Sequence, residues 1–164
     1  MKITIKPKII NKKNFSKFGQ IIDTSKKSYF RINNGFAKRY DNLIKIDTST
    51  KKGKTIASIF SAKKRIFPMK IDMMEKHPLG SQAFIPMKET IFLTFVAPHG
   101  ESPKIDKMQS FIVPPKTGIN YKPGTWHFPL ISTEDTNFLV IDRKGNGENL
   151  IVHKFEKENI ILKY

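Results

Sequence analysis

The chain has 164 residues, a length suited to one domain with its own core, and 38% of them are hydrophobic, with 13 Phe against 4 Tyr and 1 Trp. It contains no cysteine, which excludes disulfides, thiolate metal ligands and a cysteine nucleophile. The formal net charge is +16, but Arg31, Arg39, Arg65 and Arg143 are the only arginines and the lysines are dispersed in pairs (Lys12-Lys13, Lys26-Lys27, Lys51-Lys52, Lys63-Lys64), so a solvated basic surface is expected and a nucleic-acid partner is not.

The first residues, Met1-Lys2-Ile3-Thr4-Ile5-Lys6, lack the apolar stretch of a signal peptide, and no run approaches the roughly 20 residues that cross a bilayer. A soluble cytoplasmic protein without a membrane partner is the expectation, organised as a single domain over residues 1–164, since no repeat, low-complexity tract or linker divides the chain. The first predicted strand is Ile3–Lys6. A short helix follows over Lys12–Phe18, with Asn11 as N-cap and Gly19 as its stop. Further strands are predicted at Thr55–Phe60, Ile71–His77, Gln82–Ile85, Ile91–Val96, Ser110–Val113, Phe138–Asp142 and Ile151–Phe155. Turn signals separate them at Asn33-Asn34-Gly35, Pro98-His99-Gly100, Pro114-Pro115, Pro123-Gly124 and Gly145-Asn146-Gly147. Many short strands at this spacing imply an all-β sandwich or barrel with a few short helices.

Two stretches carry candidate chemistry. In the first, alternation along Ile71–His77 puts Ile71, Met73, Glu75 and His77 on one face and Asp72, Met74 and Lys76 on the other. That face begins apolar and ends in a carboxylate and an imidazole, as expected of a strand leaving a core and opening into a polar pocket. After the Pro78-Leu79-Gly80 turn, Gln82 can converge on the same place. In the second stretch, Pro123-Gly124 suits a type II turn and His127 follows three residues later, at the start of a strand. A rigid turn that presents one imidazole suits a borderline metal or a small anion. His99, in a Pro-Gly loop, reads as a surface residue and His153 as a structural one.

These residues also carry a resemblance. Glu75-x-His77 followed by Gln82, then Pro123-Gly124-x-x-His127, resembles the paired motifs of the cupin superfamily. More narrowly, Glu75-Lys76-His77-Pro78-Leu79-Gly80-Ser81-Gln82-Ala83-Phe84-Ile85-Pro86 resembles the signature of the ureidoglycolate lyase family, formerly called ureidoglycolate hydrolase. The likeness continues through Phe18-Gly19-Gln20-Ile21-Ile22, Phe30-Arg31-Ile32-Asn33-Asn34-Gly35, Arg39-Tyr40, Gly118-Ile119-Asn120-Tyr121, Trp126-His127-x-Pro129-Leu130 and Phe138-Leu139-Val140-Ile141-Asp142-Arg143.

The resemblance implies a homodimeric, cupin-like antiparallel β-barrel (a double-stranded β-helix) that splits ureidoglycolate into glyoxylate and urea in allantoin catabolism. That chemistry needs a cation for the substrate carboxylate, for which Arg143, Arg39 and Arg31 are candidates, and a base for the hydroxyl proton. His77 and His127 hold a divalent metal or the substrate's oxygens, with Gln82 as a further ligand or donor; nickel occurs in some relatives. Glu75 is the expected base if it is not a ligand. Asn33, Arg39 and Tyr121 are assigned to the pocket lining and Trp126 to its wall. Two departures from the broad cupin pattern stand out: Glu75 replaces its first histidine and Gln82 its glutamate, leaving two imidazoles. Phe128 also stands where relatives often carry a second histidine. Two other readings remain open on the same residues: a ureidoglycolate amidohydrolase releasing ammonia, and a non-catalytic anion-binding protein.

Overall fold

The computed structural model describes residues 2–25 and 28–164; Met1 and the Lys26-Lys27 pair lie outside the described residues. Three stacked sheets hold most of the chain. A five-stranded sheet runs in the order Gly19–Ile22, Gly118–Tyr121, Gln82–Pro86, Thr136–Lys144, Lys54–Ala62. A seven-stranded sheet runs Ile151–Lys154, Met73–Lys76, Trp126–His127, Phe92–Ala97, Gln109–Val113, Lys8–Ile9, with Ile131–Ser132 also paired to Phe92–Ala97. A three-stranded sheet of Lys2–Ile5, Asn159–Leu162 and Met69–Ile71 forms the third layer.

Alternation along Phe92–Ala97 explains the stacking. Phe92 and Val96 join Phe84, Ile119, Tyr121, Phe138 and Val140 of the five-stranded sheet in one core. Leu93, Phe95 and Ala97 point the other way, into a second core with Ile71, Ile160 and Leu162 of the three-stranded sheet. A strand buried on both faces needs a near-continuous apolar run, which Phe92-Leu93-Thr94-Phe95-Val96-Ala97 supplies, Thr94 being its one polar residue. Each fully buried Phe or Leu here contributes about 1.5–3 kcal/mol of transfer free energy.

The expected all-β architecture is therefore present, mostly antiparallel, with parallel pairing of Lys2–Ile5 to Asn159–Leu162, of Lys8–Ile9 to Gln109–Val113 and at an isolated Lys64–Ser132 bridge. The two large sheets face each other in a cupin-like manner, and among the described residues no ladder joins them into a closed cylinder.

Two local expectations need correction. The helix spans Lys12–Phe15 only; Asn11 caps it as expected, its side chain accepting from the Asn14 N–H at 2.9 Å. It stops before Phe18 because Gly19 enters the five-stranded sheet opposite Tyr121, where a Cβ would meet the Asn120 carbonyl at 2.1 Å. The predicted Ile71–His77 strand is divided at Asp72, whose carbonyl accepts from the Phe155 N–H at 2.8 Å. Met69–Ile71 goes to the three-stranded sheet and Met73–Lys76 to the seven-stranded one, so Ile71 shares the second core with Met74 and not the face of Glu75.

Candidate active site between the two large sheets

At one end of the first core, each large sheet contributes one row of residues. In the seven-stranded sheet, Glu75 pairs with His127 and His127 with Val96. In the five-stranded sheet, Tyr121 pairs with Gln82, and Ile141 pairs with Ala83 beside it. Alternation decides what faces inward. His127 turns between the sheets, whereas Trp126 turns into the second core, its indole N–H donating to the Gly100 carbonyl at 3.1 Å. Trp126 thus backs the site and does not form its wall. Lys76 likewise points away from Glu75; its ammonium sits 4.5 Å from the Trp126 ring centroid and donates to the Gly100 carbonyl at 2.7 Å.

The inward groups converge on a small volume. Glu75 Oε1 lies 3.5 Å from His127 Nε2 and 4.0 Å from His77 Nε2, and the three atoms lie within 4.8 Å of one another. Backbone carbonyls set both tautomers. His77 Nδ1 lies 2.6 Å from the Asn149 carbonyl and His127 Nδ1 3.0 Å from the Thr125 carbonyl; a carbonyl only accepts, so both Nδ1 atoms carry the proton and donate. In its neutral form each ring therefore presents an Nε2 lone pair toward the same carboxylate. Those Nε2 atoms and Gln82 Oε1 are buried without a hydrogen-bond partner in the protein. Buried acceptors left unpaired beside a carboxylate suit a cation, and this donor set fits a divalent metal.

Tyr121 fixes the second imidazole. Its ring stacks on His127 at 4.3 Å between centroids and 18° between planes, and its hydroxyl lies 2.6 Å from Thr94 Oγ1. Burial pushes the phenol's pKa well above its ordinary value, so Tyr121 stays neutral.

Burial and the neighbouring His127 charge hold His77 below the ordinary imidazole value, against the opposing pull of the Asn149 carbonyl and Glu75. Burial alone would raise Glu75; its contact with His127 and the charges of both imidazoles outweigh that and hold it below the usual carboxylate value. The unfolded chain binds a proton at position 77 from about pH 6.5 downwards, where the folded chain resists it. Stability is thus expected to fall as the pH drops below about 6.5, the depressed Glu75 adding loss at more acidic pH. Urea unfolding across this range checks it: His77→Gln should flatten the upper part of the slope, and an unchanged slope would refute the assignment.

Gly124 holds the two halves of the site together. Its φ is +78°, which L side chains adopt poorly, and its N–H donates to the His77 carbonyl at 2.9 Å. A Cβ there would meet His99 Cδ2 at 2.2 Å, so His99 packs on the turn that carries His127. Gly124→Ala is expected to cost about 2–4 kcal/mol, from the left-handed backbone and the clash together. Part of that should return in the double variant with His99→Ala, as read by denaturant midpoints. Full additivity would show that the clash is not felt.

The structure also brings in residues that the sequence patterns above do not flag. Asp142 follows Phe138 and Val140 on the inward face; burial raises its pKa, while the Gln82 amide and His77 act in the opposite direction. The alternation Phe138-x-Val140-x-Asp142 is the signal that points to it. A cleft of about 360 Å³ opens over Glu75 and Gln82, and Phe60, Lys64, Arg65 and Leu130 help line it. Several residues assigned to the pocket sit elsewhere. Asn33, Arg31 and Arg39 belong to the exposed hairpin of Phe30–Ile32 and Ala37–Arg39 and do not line this cleft; Arg39 pairs with Asp41 at 2.6 Å. Arg143 is buried on the other face of its strand from Asp142, donating to the Thr50 carbonyl at 3.1 and 2.7 Å and the Asn146 carbonyl at 2.8 Å. It forms no ion pair with Asp142, since adjacent strand residues point to opposite faces.

The family model described as ureidoglycolate lyase matches residues 2–162. The chain is 41% identical over 160 residues to a protein named ureidoglycolate lyase from Pseudomonas aeruginosa (strain LESB58), covering 97% of this chain and 95% of that one. It is also 41% identical over 162 residues to the protein of that name from Azotobacter vinelandii (98% and 96% covered), and 38% identical over 162 residues to that from Pseudomonas syringae pv. syringae (98% and 94% covered).

Proposed function

The chain belongs to the ureidoglycolate lyase family, and from that premise we propose that it is a carbon–nitrogen lyase that splits ureidoglycolate into glyoxylate and urea. The observation that carries the reading is the convergence of Glu75 Oε1 with the two fixed Nε2 lone pairs beneath an open cleft. In this reaction the substrate hydroxyl loses its proton, its oxygen becomes the aldehyde carbonyl of glyoxylate, and the C–N bond breaks. The bonding electrons leave with nitrogen, which takes up a proton to give urea, so no water or redox partner is consumed.

Glu75 is the base for the hydroxyl proton: it is a carboxylate at neutral pH and is held at a fixed distance from both imidazoles. His77 and His127 orient the reacting oxygen, and the Asn149 and Thr125 carbonyls prevent their rings from turning. Gln82 and Asp142 face the same space from the opposite sheet, where the departing nitrogen would sit, and burial raises the proton affinity of Asp142. His77, His127 and Gln82 would hold a divalent metal, which when bound supplies positive charge beside the hydroxyl and favours its ionisation.

Metal binding has a readout independent of turnover. Chelator-treated protein is expected to take up about one nickel or zinc ion per chain in a calorimetric titration and to gain thermal stability through binding to the folded state only. Loss of both effects in His127→Ala supports the site, and absence of both in the unsubstituted chain removes the metal from this reading. The reaction itself is tested by incubating the protein with racemic ureidoglycolate and measuring products against uncatalysed decay. Glyoxylate and urea in equal amounts support the lyase; ammonia in place of urea would replace it with an amidohydrolase.

A role in allantoin breakdown in the cytoplasm and a homodimeric state are part of the same proposal. No helix of the described residues is long and apolar enough to cross a membrane. The exposed Phe30, Ile32, Phe36, Ile59 and Ile66 support association with a second copy, which light scattering would detect.

A further inference from the structure

The substrate carries a carboxylate, and the three arginines that the sequence suggests for it are not in the cleft. Arg143 is buried on the other face of its strand from Asp142, held by backbone carbonyls through Nε and Nη2, Arg39 pairs with Asp41, and Arg31 lies on the exposed hairpin. The remaining arginine, Arg65, lines the same cleft as Glu75 and Gln82. Its guanidinium carbon lies 5.8 Å from the ring centroid of Phe128, which like Trp126 packs into the second core and not beside His127. Backbone contacts hold both partners of that pair: the Arg65 N–H donates to the Ser132 carbonyl at 2.8 Å, and the Phe128 N–H to the Phe95 carbonyl at 2.9 Å. Among the described residues neither the Arg65 guanidinium nor the Lys64 ammonium forms a salt bridge; Asp135 pairs with the neighbouring Lys63 ammonium at 3.0 Å and accepts from the Lys64 backbone N–H at 2.8 Å. A guanidinium resting on an aromatic face keeps its N–H edge free for an anion and loses little rotamer freedom on binding one.

We propose that Arg65, supported by Lys64, is the anion anchor of this cleft: it binds the substrate carboxylate in two-point geometry and so aims the hydroxyl-bearing carbon at Glu75. The inference rests on the lyase reading for the identity of the substrate, but the anchor itself recognises any small α-oxo or α-hydroxy carboxylate. Phe128 acquires a function in this scheme. Where a histidine would add another polar group, the phenyl ring supplies the platform that orients the guanidinium.

The test separates the anchor from the reaction. Arg65→Ala is expected to raise KM for ureidoglycolate about 10- to 100-fold with a smaller fall in kcat, Arg65→Lys to recover part of the loss, and Lys64→Ala to raise KM by a few-fold. The unsubstituted enzyme should prefer ureidoglycolate over its neutral amide, and Arg65→Ala should lose most of that preference. Calorimetric binding of oxalate, a dicarboxylate probe that needs no turnover, should weaken by a similar factor in Arg65→Ala. If ureidoglycolate is cleaved with KM and amide discrimination unchanged in Arg65→Ala, the anchor is overturned while the lyase reading stands. If ureidoglycolate is not cleaved but oxalate binds in an Arg65-dependent manner, the lyase reading fails and the anchor stands. Oxalate binding of equal strength in both proteins overturns the anchor whatever the activity.

Discussion

Replacing His127 by alanine is expected to lower kcat/KM for ureidoglycolate by about a thousandfold or more, with chain folding retained. His127 is 2% exposed, stacked on Tyr121 and held by the Thr125 carbonyl, so its Nε2 lone pair occupies one position opposite Glu75. Alanine removes the lone pair, the stacking surface and a group that lowers the Glu75 pKa. The loss of a buried ring should cost about 1–3 kcal/mol, within the usual range for a core truncation. Stability must therefore be measured beside turnover. The discriminating variant is His127→Gln, which retains a polar side chain but not an imidazole lone pair at that point. Steady-state kinetics of both variants, with thermal midpoints, check the claim. A His127→Gln enzyme with more than a tenth of the original kcat would remove His127 from the reaction.

Glu75→Gln is the second large effect, expected to reduce kcat about 10²- to 10⁴-fold, the range associated with a lost general base. The substitution is close to isosteric, so packing against the neighbouring strands should persist and KM should change less than kcat. It also carries an electrostatic signature. Glu75 raises the proton affinity of His77, so removing its charge should push that imidazole still further below the ordinary value of 6.5. An NMR titration of the histidine ring protons would show the shift directly. The acid limb of the kcat/KM profile, which reports protonation of the base, should be lost or displaced in the variant. Unchanged kcat with an intact acid limb would transfer the base role to another group.

Much of this site is written in local sequence, because strand alternation is a property of the backbone. Glu75 and His77 share a face across one residue, and Gln82 shares one with Phe84, whose burial sets the inward direction. The Pro123-Gly124 turn and the histidine after it are equally local, since only a residue tolerating positive φ fits there. Trp126 and Ile71 show where such reasoning stops. Trp126 sits next to a site residue in sequence yet on the opposite side of the sheet, and Ile71 is displaced from the Glu75 face by a break at Asp72 that depends on a bond to distant Phe155. The Gly118–Tyr121 strand has a Gly and an Asn among its four residues, and weak propensity hides it, although pairing on both sides makes it central.

The sequence by itself determined the family and the all-β class, and it put Glu75, His77 and His127 forward as one candidate cluster, because short motifs and period-2 alternation depend on neighbours along the chain. The tertiary structure alone decided how those groups meet. The Asn149 carbonyl that sets the His77 tautomer lies 72 residues away in the chain. The ring that clamps His127 comes from the opposite sheet, as does Asp142. The choice among four arginines was likewise made by packing: Arg143 is buried on backbone carbonyls, Arg39 is paired on a hairpin, and Arg65 lies beside the cleft. All four carry the same charge in sequence, and only sheet packing distinguishes a cation held by the protein from one available to a ligand.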